Sequence, residues 1–321
     1  MNADLFNGDA DGILARHQYR LINPLDDVLL VSGVKRDVKL CRQIADRNDI
    51  TSAKIFDISL ESNTPAVEAL LKKDVEMEWF DHHRRGDIED GPQLKTHIDL
   101  SPKTCTSLIV YHHLKASTLP WAVAGAYGDN LKDIAEALGL EGGLGKDQLS
   151  HLQALGETLN YNGYGETRED LAAWPIEVAE DLLPYTDPFD YISKSPVFSK
   201  IAEQKASDEK VLGGAETLHL STSGEVTLLP PGSASRRMSG LFSNEKVGNE
   251  PELAHAIFTH LENGEGYRVS IRAPKNRPQG ADELASRFPT GGGRASAAGV
   301  NDLPQDKVEA FCQEFDEVFA C

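Results

Sequence analysis

Basic residues are scarce in this chain. Across 321 residues, 32 Lys and Arg stand against 51 Asp and Glu, a formal net charge of −19. Such a surface repels long polyanions, and sequence-independent duplex binding needs a basic footprint. A processive nuclease on long DNA is thereby disfavoured, and a nucleic-acid substrate is expected to be short or met by a local basic pocket. The plainest meaning of the charge is solubility. Long apolar runs are lacking as well: none reaches the roughly 18 residues of a transmembrane helix. Met1-Asn2-Ala3-Asp4 has neither the basic nor the apolar block of a signal peptide. The expectation is a cytoplasmic chain with no membrane partner. Cysteines are few and scattered (Cys41, Cys105, Cys312 and Cys321), which fits free thiols in a reducing compartment and carries no zinc signature. Aromatics are sparse near the motifs described below, and Phe6, Trp79 and Phe80 read as core, so platforms for stacking bases are few.

What is present is a regular alternation. Asp4-Leu5-Phe6, Val28 to Val34, Lys54 to Ile58, Val75 to Phe80 and Thr96 to Leu100 read as strands. Helical patterns run from Ile13 to Ile22, Val38 to Asp46 and Thr64 to Leu71, the last with Pro65 at the favoured first position. Such alternation predicts an α/β fold whose parallel sheet is covered by helices. Residues 102 to 185 are mostly helical in pattern, broken at Gly142-Gly143 and from Asn160 to Thr167. Residues 193–214 turn polar and Lys/Ser-rich, as a linker would. Beyond them, Thr217 to Leu229 alternates like strands, Asn263-Gly264-Glu265-Gly266 signals a hairpin, and helices are expected at Asp282 to Phe288 and Asp306 to Phe319. The domains are expected at 1–192 and 215–321, the second a smaller α/β unit.

Four acidic stretches stand where a parallel sheet places its strand ends: Asp9-Ala10-Asp11-Gly12, Asp57, Asp81-His82-His83 and Asp129. In an open parallel sheet ligands bind beyond the carboxyl ends of the strands, near the switch in strand order. The first three stretches converge there by topology, and Asp129, ending a helical stretch, can reach back. Gathering carboxylates raises their pKa values unless a cation intervenes. Hard oxygens plus imidazole suit Mn²⁺, with Mg²⁺, Co²⁺ or Zn²⁺ allowed, and two such metals about 3.5–4 Å apart clamp a phosphoryl group and activate water. Gly12 lets the chain turn tightly into a helix whose N-terminus favours an anion. Taken singly, Asp-x-Asp-Gly is commonly a turn or cap and Asp57 a solvated strand end. His112-His113 lies in a helical pattern with side chains about 100° apart, and reads as packing and surface, as do His17 and His97.

Together these residues resemble the DHH phosphoesterases, a family that includes RecJ-like nucleases, nano-RNases, cyclic-dinucleotide phosphodiesterases, exopolyphosphatases and manganese pyrophosphatases. Phe6-Asn7-Gly8-Asp9-Ala10-Asp11-Gly12, Phe56-Asp57, Phe80-Asp81-His82-His83 and Gly128-Asp129 are similar to its four motifs, in order. Gly291-Gly292-Gly293-Arg294 through Gly299 is similar to the GGGH…AAG segment of the associated DHHA1-type domain. The resemblance implies a DHH domain followed by a DHHA1-like substrate-binding domain. It implies Asp9 and Asp57 on a first metal, and Asp11, Asp57, His82 and Asp129 on a second, with Asp57 bridging. His83 would contact the phosphate and Asp81 would orient its neighbours; Asp57, His83 and Asp11 are the expected catalytic residues. Two positions depart from the pattern. Asn7 stands where many relatives have His or Asp and offers one neutral oxygen, a poorer ligand. Arg294 replaces the GGGH histidine; it still forks onto phosphate but does not titrate.

In so acidic a chain, Lys35-Arg36 after the second strand and Arg84-Arg85 after the histidines are local exceptions at the site's edge. They are expected, with Arg294 and a Gly291–Gly293 loop, to hold non-reacting phosphates; Arg272 and Arg277 are lesser candidates. The function expected is a two-metal phosphoesterase cleaving short oligonucleotides from an end by activated water. Alternatives of the same chemistry are a 3′-phosphoadenosine 5′-phosphate phosphatase, a cyclic-dinucleotide phosphodiesterase and an exopolyphosphatase. An alternative of another class is a nucleotide-binding sensor with degraded catalysis. The oligomeric state, a homodimer included, is left open.

Overall fold

The computed structural model describes residues 1–115, 117–165 and 167–320; Cys321, expected as a free thiol, lies outside the described residues. The first five strands are β1 (Asn2–Phe6), β2 (Val28–Val31), β3 (Ser52–Phe56), β4 (Glu76–Asp81) and β5 (Leu94–Ile98). All pair in parallel, in the order β2-β1-β3-β4-β5. The order reverses between β1 and β3, so the crevice beyond the carboxyl ends of those strands is where a ligand is expected. Helices α1 (Ala10–Ile22), α2 (Arg42–Ala45) and α3 (Leu60–Leu71) connect these strands. They are followed by α4 (Thr106–Leu114), α5 (Leu119–Gly128), α6 (Lys132–Glu141), α7 (Lys146–Gly163), α8 (Pro175–Leu182), α9 (Pro188–Lys194) and α10 (Pro196–Glu209). Among the described residues no helix is long and apolar enough to cross a membrane.

The two faces of this sheet differ in chemistry. Ala3, Leu5, Ala53, Ile55, Met77 and Trp79 point to one side and join Ile44 of α2 and Leu60, Val67 and Leu70 of α3 in a dry core. The other side faces α1 and carries Phe6, Phe56 and Phe80, but also Asp4, Lys54 and Glu78, which stand opposite one another in register. Asp4 is fully buried. It accepts from Arg16 Nε (2.9 Å) and from Arg20 Nε (2.8 Å) and Nη2 (2.5 Å), so α1 is pinned to β1 by charge. Lys54 Nζ pairs with Glu78 Oε2 at 2.8 Å. Helix α1 packs against α4, α5, α7 and α8 and is buried from Ala10 to Arg20.

The chain divides into two units at Glu203/Gln204. In the second, β6 (Glu216–Leu220), β7 (Gly224–Leu228), β8 (Ala254–His260), β9 (Gly266–Arg272), β10 (Gly291–Arg294) and β11 (Ala297–Pro304) form one mixed sheet, ordered β10-β11-β9-β8-β7-β6. Helix α11 (Ser233–Asn249) crosses between the parallel pair β7 and β8. Helices α12 (Ala281–Ser286) and α13 (Val308–Phe319) complete it. Its core joins Phe311, Phe315 and Phe319 of α13 to Phe258, Val269 and Ile271 of the sheet.

Four expectations are corrected. Val38 to Asp46 is not one helix, and only Arg42–Ala45 is helical. Asn63 takes the groups a helix would pair: its Nδ2 donates to Val38 O and its Oδ1 accepts from Cys41 N. Helix α3 begins at Leu60, capped by Ser59 Oγ, so Pro65 lies inside it. The Glu61 carbonyl, which Pro65 cannot reach with an N–H, accepts from Thr64 Oγ1 instead. The 193–214 segment is largely helical, through α10 and a 3₁₀ turn over Lys210–Gly214, because its Lys, Ala, Glu and Gln content favours helix. Gly291–Gly293 is not a loop. It pairs antiparallel with Gly299, Ala298 and Val300 as the edge strand β10, and a Cβ on Gly293 would strike Ala298.

Asp4→Ala leaves two guanidiniums buried without their counter-charge and should cost about 3–5 kcal/mol in denaturant unfolding; a loss below 1 kcal/mol would overturn this account of the triad. His17 Nε2 bonds Tyr185 O at 3.0 Å, and burial holds its imidazole down to about 3 from 6.5. Between those values the unfolded chain binds a proton that the folded chain refuses. This stabilising contribution is complete above about pH 6.5 and drains as pH falls towards 3, by up to about 1.4 kcal/mol per pH unit. His17→Gln should show a shallower loss of stability with acid across that window.

Candidate metal centre

The β1–α1 turn is built by backbone crowding. Asp9 caps α1: its Oδ1 accepts from Gly12 N at 3.1 Å. A Cβ on Gly12 would lie 2.5 Å from the Asn7 carbonyl oxygen, so only glycine allows the chain to double back here. Asp11, one residue into the helix, aims its carboxylate at the start of α4. Its Oδ2 accepts from Thr106 N and its Oδ1 from Ser107 N, both at 2.7 Å. The orphan donors of a helix N-terminus thus fix an acid brought from another element. Thr106 Oγ1 also donates to Asp57 Oδ1 at 3.0 Å.

Asp57 follows β3 with φ of 58°, left-handed backbone that a non-glycine residue rarely adopts and that collects at functional sites. Its N–H donates to Phe80 O at 2.9 Å. His82, just beyond β4, sets Nε2 3.3 Å from Asp57 Oδ1 and Nδ1 3.9 Å from Asp129 Oδ2. Two ligand-like groups result, Asp11–His82–Asp129 and Asp57–His82–His83, each with donor atoms within 4.8 Å of one another. Asp81 is fully buried and its Oδ1 receives His83 Nδ1 at 2.7 Å, an orienting contact of the kind that supports metal ligands.

The remaining expected residues are placed differently. Asp9 belongs to neither group, and its Oδ2 is 2.5 Å from Lys35 Nζ. Lys35 also donates to Asn160 Oδ1 at 3.0 Å, so its ammonium serves the site rather than standing free for a substrate. Asn7 Nδ2 donates to Lys35 O, while its Oδ1 is buried without a partner. Arg85 turns away, with Nε on Ile88 O and Nη2 on Asp90. Arg84 and Arg36 are exposed. Arg36 lines a cavity of about 220 Å³ with Lys39 and Arg42. Arg272 bonds Asn244, and Arg277 bonds the Phe319 carbonyl. Arg294 and the three glycines lie on β10 of the second unit. Thr106, Ser107, Lys35's pairing with Asp9 and Asn160 went unread in the sequence, and the α4 N-cap, Cys105, forms no side-chain cap that would have marked the helix start.

The electrostatics are those of crowded acids. Burial, then the charges of Asp57 and Asp129, push Asp11 up to about 7. Burial raises Asp129 as well, with Asp57 and Asp9 adding to it. Burial alone would raise Asp57, but its bond to His82 and the charges of His83, His82 and Lys35 hold it below the usual carboxylate range. Burial would lower His82; the bond and charge of Asp57, with Asp129 and Asp11, instead push it up to about 10. Lys35, with His82 and His83 both raised by the neighbouring acids, supplies the positive charge this cluster has by itself. The donor set fits divalent metal: carboxylate oxygens, imidazole nitrogens, and two buried oxygens without partners, Asn7 Oδ1 and Asp81 Oδ2. Lys35→Met should cost the metal-free protein about 1–3 kcal/mol by stranding Asp9, and Mn²⁺ should restore it. Thermal melts with Mn²⁺ and with a chelator check this; an equal loss in both would remove Asp9 from the metal set.

No family model matches the chain, and no curated protein matches it in sequence. In structure it is similar to a DHH-domain member of the s1p family of ribosomal proteins, with TM-score 0.63 and 14% identity over 99% of this chain and 86% of that one. It is similar to exonuclease RecJ bound to manganese, with TM-score 0.62 and 14% identity over 99% and 90%. It is also similar to the pGpG-specific phosphodiesterase PggH from Vibrio cholerae, with TM-score 0.52 and 12% identity over 99% of both chains. At such identities a likeness speaks for the backbone, and the conclusion it carries is that this chain has the DHH fold.

Proposed function

We propose that the chain is a metal-dependent phosphoesterase that hydrolyses the phosphodiester bonds of short oligonucleotides from an end. The observation that carries this reading is the convergence of Asp11, Asp57, His82 and Asp129 beyond β1, β3 and β4, at the switch in strand order. The fold shared with an exonuclease and a dinucleotide phosphodiesterase supports it. Asp11, Asp57, His82 and Asp129, with Asp9 and the Asn7 oxygen, would hold two divalent ions, Mn²⁺ best suited and Mg²⁺ or Co²⁺ acceptable. When bound, such ions supply Lewis acidity to the phosphoryl group and lower the pKa of water.

The chain's own residues do the rest. The α4 N-terminus keeps the Asp11 carboxylate fixed, and Thr106 fixes Asp57. His83, held by Asp81 and partly exposed, is poised to donate to a non-bridging phosphate oxygen. Arg84 and the Arg36–Lys39–Arg42 cavity offer positive charge to trailing phosphates, and the net charge of −19 disfavours anything long. Residues 1–192 would form the catalytic domain and 215–321 a substrate-binding domain in which Arg294 and β10 meet the nucleotide.

A second reading, a nucleotide sensor with weakened catalysis, is favoured by one observation: Lys35 neutralises Asp9 and Asn7 offers only an amide. A panel supplemented with Mn²⁺ separates the two. It comprises a dinucleotide, a pentanucleotide RNA, 3′-phosphoadenosine 5′-phosphate, a cyclic dinucleotide and polyphosphate. Cleavage of the short RNAs is expected, falling about 10³-fold or more in Asp57→Asn. Nucleotide binding without cleavage of any panel member, with Mn²⁺, Mg²⁺ or Co²⁺, would replace the enzyme by the sensor.

A further inference from the structure

A second cluster of side chains of metal-ligating type lies lower on the same sheet. Glu78, three residues before Asp81 on β4, is about 10 Å from that strand's end. Its two oxygens have separate duties. Oε2 accepts from Lys54 Nζ at 2.8 Å and from Tyr19 Oη at 3.0 Å. Oε1 is turned to two imidazoles: His97 Nε2 of β5 at 3.2 Å and His113 Nε2 of α4 at 3.8 Å. The three donor atoms lie within 4.8 Å of one another. Phe80 sets both rings, stacking on His97 at 4.5 Å between centroids and meeting His113 edge-on at 5.0 Å.

We propose that Glu78, His97 and His113 form a binding site for one transition-metal ion of the zinc class, separate from the carboxylate centre. Two imidazole nitrogens and one carboxylate oxygen are a donor set that Zn²⁺ takes with a fourth position left to water. They are too nitrogen-rich for Mg²⁺ or Ca²⁺. The outer shell is already supplied, since Lys54 and Tyr19 hold the oxygen that the metal does not use, the kind of support that orients a ligating carboxylate. Each donor comes from a different element, so the ion would tie the β5 edge to β4 and α4. The consequence reaches the first site, because α4 carries His113 near one end and the Asp11-binding amides of Thr106 and Ser107 at the other. The two ends are seven residues, about 10 Å, apart.

The test uses the full chain carrying Asp57→Asn, which weakens the carboxylate centre, titrated with Zn²⁺ against a competing chelator and with Co²⁺ followed by its visible absorption. One equivalent of Zn²⁺ and a Co²⁺ spectrum of low-coordinate type are expected. Adding His113→Ala should weaken that equivalent by more than the roughly 10–100-fold that loss of an outer hydrogen-bond partner costs, and should abolish the spectrum. His112→Ala, at the exposed neighbouring position, should do neither. Circular dichroism verifies that the variants are folded; if His113→Ala is not, His97→Gln takes its place. Absence of Zn²⁺ binding in the Asp57→Asn background, or binding unchanged by loss of either histidine, overturns the proposal whether or not the chain proves to be a phosphoesterase.

Discussion

The mutual repulsion of acids gathered at the strand ends is the constraint to which the rest of the first unit answers. Asp9, Asp11, Asp57 and Asp129 are brought near one another by topology, and burial makes their company costlier. The chain meets this with three kinds of positive charge. One is a permanent side-chain cation, the Lys35 ammonium held on Asp9. One is titratable, His82 between Asp57 and Asp129. One is fixed, the first turn of α4, whose amides enclose Asp11. The fixed charge explains features remote from chemistry. Helix α4 must end its approach close to α5, and a Cβ on Gly125 would run into Ser107. Helices α5 and α7 press together at Gly128 and Gly156, where a side chain on Gly156 would strike Ala124 of α5 and one on Gly128 would strike Ala10 of α1 and crowd Gly156. Small residues there are the spatial condition for a helix end to reach a buried acid.

The same solution recurs beneath the site. A parallel sheet covered on both faces usually reads as continuous apolar strands, yet this one carries a row of alternating charge, Asp4, Lys54 and Glu78, on the face towards α1. Each charge is satisfied, but by different means. Asp4 receives two guanidiniums from α1, while Lys54 and Glu78 satisfy one another, with Tyr19 and His97 adding bonds. Breaking one member costs more than the pair contributes relative to apolar residues. Such a row acts chiefly as a register lock, since a one-residue shift of β3 or β4 would turn its charge towards the dry core and strand the Lys54–Glu78 partner.

Much of this was legible in the residues. The alternation of strand and helix patterns anticipated the parallel sheet, and Asp9, Asp11, Asp57 and His82 fell at strand ends because strand ends are set by local pattern. What escaped notice was set by tertiary contact. The Ser-rich helix α11, with Ser235, Ser239 and Ser243 buried, has little apolar periodicity to mark it. Gly291 to Gly293 has the composition of a turn, yet pairing with β11 makes it a strand. Lys35 was legible as a cation at the right edge, but whether a cation serves the protein or its ligand depends on which carboxylate lies within reach. His97 and His113, sixteen residues apart on a strand and a helix, have no spacing that announces a meeting.

The left-handed backbone at Asp57 has an evolutionary consequence. Asparagine and aspartate tolerate that conformation better than other residues carrying a Cβ, and a single base change converts one codon into the other. The fold therefore lies one mutational step from a chain that keeps its shape at this turn and loses the central charge. For the phosphoesterase proposed above, Asp57→Asn would remove the central charge while leaving this turn in a conformation asparagine accepts.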